Sequence, residues 1–201
     1  MPEPQDNLRR AIALAFDAVD GQTAAQMAWL GATGCEGSWR LPLLNGLVDV
    51  DLTARRVTPS AGRELSLAAS VLLLHYLAIA SRPEPCAPEI VFADLPTARS
   101  YARVYHQRVI GRLCATTGVD AEKLRAAAVA AGGRSADGGD AAFDFQVFPR
   151  FLVRLVWHSP DEEFPSSATL LLPANAESYF CSEDLVVLSE RLVSRLSGRP
   201  F

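Results

Sequence analysis

The stretch Leu67 to Ala80, LAASVLLLHYLAIA, is apolar on every side of a helix, interrupted only by Ser70, His75 and Tyr76. A helix with no polar face has to be surrounded, either by protein or by lipid. At about 1.5 Å per residue it falls well short of a hydrocarbon core about 30 Å thick. The rest of the chain must therefore supply the cover, and a helix over Glu64 to Ala80 is expected at the centre of the fold.

The flanking sequence shows what kind of cover is available. Residues Asn7 to Leu30 carry apolar side chains at helical spacing (Leu8, Ile12, Ala15, Phe16, Val19, Ala24, Met27, Ala28), and Gly21 divides the run. Asn45-Gly46 reads as a hairpin dipeptide. After it Leu47, Asp49 and Asp51 alternate with Val48, Val50 and Leu52, the pattern of a strand with one apolar face. Thr58-Pro59-Ser60 closes this unit and starts the central helix. Arg82 to Pro88 holds three prolines and reads as a loop, with a short strand at Ile90 to Phe92. Pro96 opens a helix running to Gly118. Asp120 caps another that ends at Gly132-Gly133. The period then changes to two: Phe143, Phe145 and Val147 face one way and Asp144 and Gln146 the other. Strands follow at Phe151 to His158 and Ala168 to Leu172, and Ser182 caps a closing helix. Helices and strands come in separate blocks, not in βαβ alternation. The expected class is α+β, helices packed on a small antiparallel sheet, as a single domain over residues 1–201.

A formal net charge of −4 argues against a nucleic-acid partner. Arg99, Arg103, Arg108 and Arg112 share one helical stretch but not one face, and read as a solvated surface. Acidic residues stand near the N-terminus where a signal peptide is basic, and no run spans a bilayer, so a cytoplasmic protein without membrane contact is expected. Cys35, Cys86, Cys114 and Cys181 lack metal-knuckle or iron–sulfur spacing and are expected to be reduced and at least half-buried.

His75 is the most informative single residue. In a buried helix its two ring nitrogens need partners, in the protein or on a ligand. Asp161, Glu162 and Glu163 crowd one turn, and oxygen donors so placed suit a hard cation. Glu183 and Asp184 sit in the first turn of the last helix, where acids complement the dipole. They are candidates for a carboxylate pair sharing a site with the acidic turn. His106 and His158 lack the spacing of a zinc or haem site. Gly132-Gly133 and Gly138-Gly139 match no phosphate-binding loop.

The segments LLLHYLAIA, GGDAAFDFQVFPR, DEEFP and SEDLVVLSERLV, in this order, resemble the bacterial and archaeal family DUF3786, from about Leu43 to Leu196. The family tends to have an aspartate where this chain reads Leu172-Pro173. The resemblance implies an origin in anaerobic and one-carbon-metabolising microbes. It also implies association with iron–sulfur domains like those of corrinoid iron–sulfur proteins, although this chain has no such cysteine cluster. It marks His75, Tyr76, Asp161, Glu163, Glu183 and Asp184 as candidate positions without giving them roles. On their chemistry His75 and Tyr76 are the candidates for a cofactor such as haem or a corrinoid, and Asp161, Glu163, Glu183 and Asp184 those for a divalent metal. The function expected is a cofactor- or small-ligand-binding accessory protein with a corrinoid or iron–sulfur protein as partner. The alternatives are a metal-dependent enzyme using the acidic turn with His75, and an adaptor without chemistry whose contact surface would be the Phe143–Phe151 aromatics.

Overall fold

The computed structural model describes residues 4–35, 38–59 and 64–201. The architecture is α+β, with helices around a central helix and two antiparallel sheets.

The central helix is α3 (Leu67–Leu77). Ser66 caps it by accepting the Ala69 amide at 3.1 Å. It therefore begins three residues later than expected, and the start anticipated at Ser60 lies outside the described residues. Ala69 to Leu74, Tyr76 and Leu77 are all buried. Its cover comes from α1 (Pro4–Val19) on one side and from α7 (Ser182–Leu196) on another. Gly21 separates α1 from α2 (Ala24–Trp29) as the pattern required.

The first sheet has the order β1 (Thr33–Cys35), β2 (Ser38–Leu43), β3 (Gly46–Asp51), β4 (Arg56–Pro59). The β2–β3 hairpin is present, but its two-residue turn is Leu44-Asn45, because Leu43 pairs with Gly46. The left-handed residue is Leu44, at φ 51°, an uncommon conformation for a side chain branched at Cγ. Tertiary bonding holds it: the Leu44 amide donates to the Val147 carbonyl at 3.1 Å, and the Asn45 amide group donates to the Ala130 carbonyl at 3.1 Å. The hairpin tip is thereby tied to the second sheet.

That second sheet has the order β5 (Pro88–Val91), β9 (Ser167–Pro173), β8 (Phe151–His158), β7 (Ala141–Phe148), β6 (Arg134–Ala136). The expected three-strand meander is its centre. β6 hides in the glycine-rich segment that read as a turn. Phe143, Phe145 and Val147 are buried with Phe151, Val153, Leu155 and Trp157, so these rings are core and not an exposed contact surface. The outward Asp144 receives two hydrogen bonds from Arg154 across the β7–β8 ladder, at 2.7 and 2.9 Å. Gly133 and Gly139 are packing positions. A Cβ on Gly133 would lie 2.7 Å from the Phe145 ring, and one on Gly139 would lie 2.4 Å from the Trp157 carbonyl oxygen.

The long helix expected from Pro96 to Gly118 is segmented. After short 3-10 turns come α4 (Ala102–Tyr105), a π-helical turn at His106–Ile110 and α5 (Gly111–Ala115). The Gly111 amide reaches back five residues to the His106 carbonyl. The helix α6 (Ala121–Ala130) is capped by Asp120 as expected. Among the described residues no helix is long and apolar enough to cross a membrane.

Candidate functional site: the junction of α3 and α7

The C-terminal turn of α3 meets the N-terminal turn of α7, and there His75 Nδ1 lies 2.9 Å from Asp184 Oδ2. Each partner suits its position. A protonated histidine is favoured at a helix C-terminus and an aspartate at a helix N-terminus. The side chain of Asp184 is 15% exposed and that of His75 39%. The hydrogen bond to Asp184 raises the His75 pKa above its ordinary value, against the opposing effect of burial. His75 is thus neither a sealed core histidine nor an unpaired one. One ring nitrogen is committed to a carboxylate, and no described residue bonds Nε2.

The residue that caps α7 is Cys181, not Ser182. Cys181 is extended (φ −68°, ψ 165°), and its carbonyl accepts the Leu185 amide at 3.0 Å. Ser182 is already helical, and its hydroxyl lies 2.5 Å from that of Thr97, which also donates to Glu177. The cap was illegible because cysteine carries no oxygen for capping. Cys181 is exposed, as is Cys86, and Cys114 is half-buried, so the expectation of buried thiols holds only in part. Burial raises the Cys181 pKa. The backbone N–H groups of Asp184 and Glu183 favour the thiolate, and the Asp184 carboxylate opposes it by charge and hydrogen bonding. Asp184 therefore bonds His75 and also bears on the Cys181 thiol three residues before it.

Tyr76, read as a second cofactor contact, is a core residue instead. Its ring is fully buried and stacked on Phe148 with centroids 4.5 Å apart. Its hydroxyl donates to the Leu30 carbonyl at 2.8 Å and accepts the Arg150 amide at 3.2 Å, so it joins the end of α2 to the β7–β8 turn. Burial pushes its pKa strongly upward. Its neighbour in sequence points elsewhere because successive helical residues are rotated by about 100°.

The acidic turn does not join this junction. Asp161 Oδ1 accepts the amides of Glu163 and Phe164 at 2.9 and 2.7 Å, and residues 161–165 are all exposed. The turn precedes Ser167 at one end of β9, whereas α7 follows from Pro173 at the other. Seven extended residues separate those ends by roughly 20 Å. Glu183 is exposed beside Asp184. Among the described residues no three His, Cys, Asp or Glu side chains converge as a metal site requires, so Asp161, Glu163, Glu183 and Asp184 are not one ligand set. His106 and His158 are both exposed.

Two cavities lie away from His75. One of about 320 Å³ opens between the β2–β3 hairpin and Arg195 to Phe201. The other, of about 160 Å³, lies between Phe92, His106 and Leu170.

No curated protein and no solved structure matches the chain. The family model described as "Domain of unknown function (DUF3786)" matches residues 20–195, most of the sequence, and the chain belongs to that family.

Proposed function

We propose that the protein is a binding module that presents His75 Nε2 as a ligand to the metal of a haem- or corrinoid-type cofactor. The observation carrying this reading is the Asp184–His75 hydrogen bond at 2.9 Å on a partly exposed imidazole. Metal-ligating histidines commonly donate their second ring N–H to a carboxylate, which fixes the tautomer and strengthens the free nitrogen as a donor. Bound there, such a cofactor would supply redox or organometallic chemistry, while the protein would supply the imidazole nitrogen of His75 and, through Asp184, its orientation. A hydrolytic metal enzyme needs several oxygen or nitrogen donors converging on one ion, and Asp161 and Glu163 stand at the wrong end of β9 for that. The family resemblance favours a corrinoid or iron–sulfur protein as partner. The free thiols at Cys86, Cys114 and Cys181 suit a reducing, cytoplasmic setting.

The test is a spectral titration of anaerobically purified protein with haemin and with cobalamin. A saturable band shift in the unaltered protein, abolished by His75→Ala with the fold retained, supports the reading. Equal uptake by His75→Ala, or no uptake of either cofactor, overturns it.

A further inference from the structure

The larger cavity, of about 320 Å³, does not include His75 and is walled by distant parts of the chain. Leu44 and Val48 of the β2–β3 hairpin form one wall, and Leu65 and Phe201 another. Glu64, Arg195 and Arg199 line it as well. Val48 and Phe201 are buried, and Leu44 and Leu65 half-buried. Glu64 and Arg199 are exposed, and Arg195 is half-buried. The apolar groups thus stand towards the core and the charges towards solvent.

A left-handed residue fixes each wall. Leu44, at φ 51°, is held by its amide bond to the Val147 carbonyl at 3.1 Å. Such a conformation costs energy in a leucine and calls for a reason; here it brings the residue into the cavity wall. Gly198, at φ 75°, ends α7. Its amide donates to the Arg195 carbonyl and that of Arg199 to the Ser194 carbonyl, both at 3.0 Å, the paired bonds of a glycine C-cap. The chain turns back from there, and the Phe201 carbonyl accepts the Ser66 amide at 2.9 Å. Backbone hydrogen bonds thus set both walls, and the cavity is a fixed feature of the fold.

Glu64, Arg195 and Arg199 take part in no ion pair among the described residues, although both signs of charge line one cavity. A basic residue at a helix C-terminus is ordinary, but the helix end accounts neither for the acid nor for the apolar walls. A cavity of about 300 Å³ or more, mainly apolar with a few polar groups, is of a size for a small molecule. Guanidiniums match a carboxylate, and a carboxylate matches an ammonium. The complement of this lining is therefore a zwitterion with an apolar body.

We infer that this cavity binds an α-amino acid with an apolar side chain. Arg195 and Arg199 hold its carboxylate, Glu64 its ammonium, and Leu44, Val48 and Phe201 enclose its side chain. The site is independent of the reading of His75 as a metal ligand.

Calorimetric titration with L-leucine and L-phenylalanine tests this, each beside its deaminated and its decarboxylated analogue. Saturable one-to-one binding of at least one of the two amino acids is expected. Its analogues should bind about tenfold or more weakly, because each leaves a charge of the site unpaired. Glu64→Gln should weaken the amino acid by a similar factor and leave its deaminated analogue unchanged, whereas Arg195→Gln should weaken both. His75→Ala should alter neither. Heats that never saturate with either amino acid overturn the inference, as does a deaminated analogue that binds as tightly as its parent. Should the variants not fold, hydrogen exchange on the unaltered protein decides. Slowing by the amino acid at residues 44–48 and 195–201 supports the site, and unchanged exchange there rules it out.

Discussion

His75 and Asp184 stand 109 residues apart in the chain and 2.9 Å apart in the fold, one closing α3 and the other opening α7. Their pairing joins two oppositely polarised helix ends, so each charge sits where the backbone favours it.

This pair makes stability depend on pH. The folded-state pKa of His75 is raised, so its contribution is fully present below the ordinary histidine value of about 6.5 and is lost as pH rises through the raised folded value. In Asp184→Asn the first cause of the shift is removed and burial remains. NMR titration of the imidazole should show its pKa fall, and the stability difference between the two proteins should shrink above that range. An unchanged His75 titration in Asp184→Asn would rule out the pair as the cause.

Asp184 also acts on Cys181, whose thiol pKa is raised first by burial. Its carboxylate raises the thiol pKa by charge and by accepting a hydrogen bond, while two backbone N–H groups favour the thiolate. Asp184→Asn should therefore speed alkylation of Cys181 at pH 7.5, by less than the roughly tenfold that a full pKa unit gives. Peptide mapping after timed iodoacetamide labelling measures it, with Cys86 as the internal reference. A slower Cys181 would contradict the assignment.

Tyr76→Phe separates core from site. The ring keeps its stack on Phe148, but the Leu30 carbonyl and Arg150 amide lose their shared partner. A loss of about 1–3 kcal/mol is expected in urea unfolding, as for other buried groups left unsatisfied. Cofactor uptake by the folded variant should match that of the unaltered protein.

Gly139→Ala is expected to be among the most damaging small substitutions. The residue has φ 55°, and a Cβ would lie 2.4 Å from the Trp157 carbonyl oxygen, a backbone atom that cannot swing aside. The turn between β6 and β7 must open, which also strains the Asp140 amide bond to that same carbonyl at 2.9 Å. A cost of about 2 kcal/mol or more in stability is expected. An unchanged melting temperature would show that the turn relaxes freely.

The amino-acid sequence by itself determined the buried helix, because a segment apolar all round has no stable place at a surface. It also determined β3, β7 and β8, because alternation of period two has one physical reading when one face is buried. His75 stood out for the same reason, as a polar group in an apolar run. What it could not contain was His75's partner: Asp184 is 109 residues away, and only the packing of α3 on α7 brings the two together. The same holds for Tyr76, whose neighbour at the surface suggested a site. Helical rotation turns it into the core, and its two partners come from the end of α2 and the β7–β8 turn. Leu44 takes the left-handed position of the hairpin against local preference, because bonds from the tip to Val147 and Ala130 outweigh a strain of about 1 kcal/mol. Local periodicity fixes which residues are buried, whereas contacts between distant segments decide which polar groups meet.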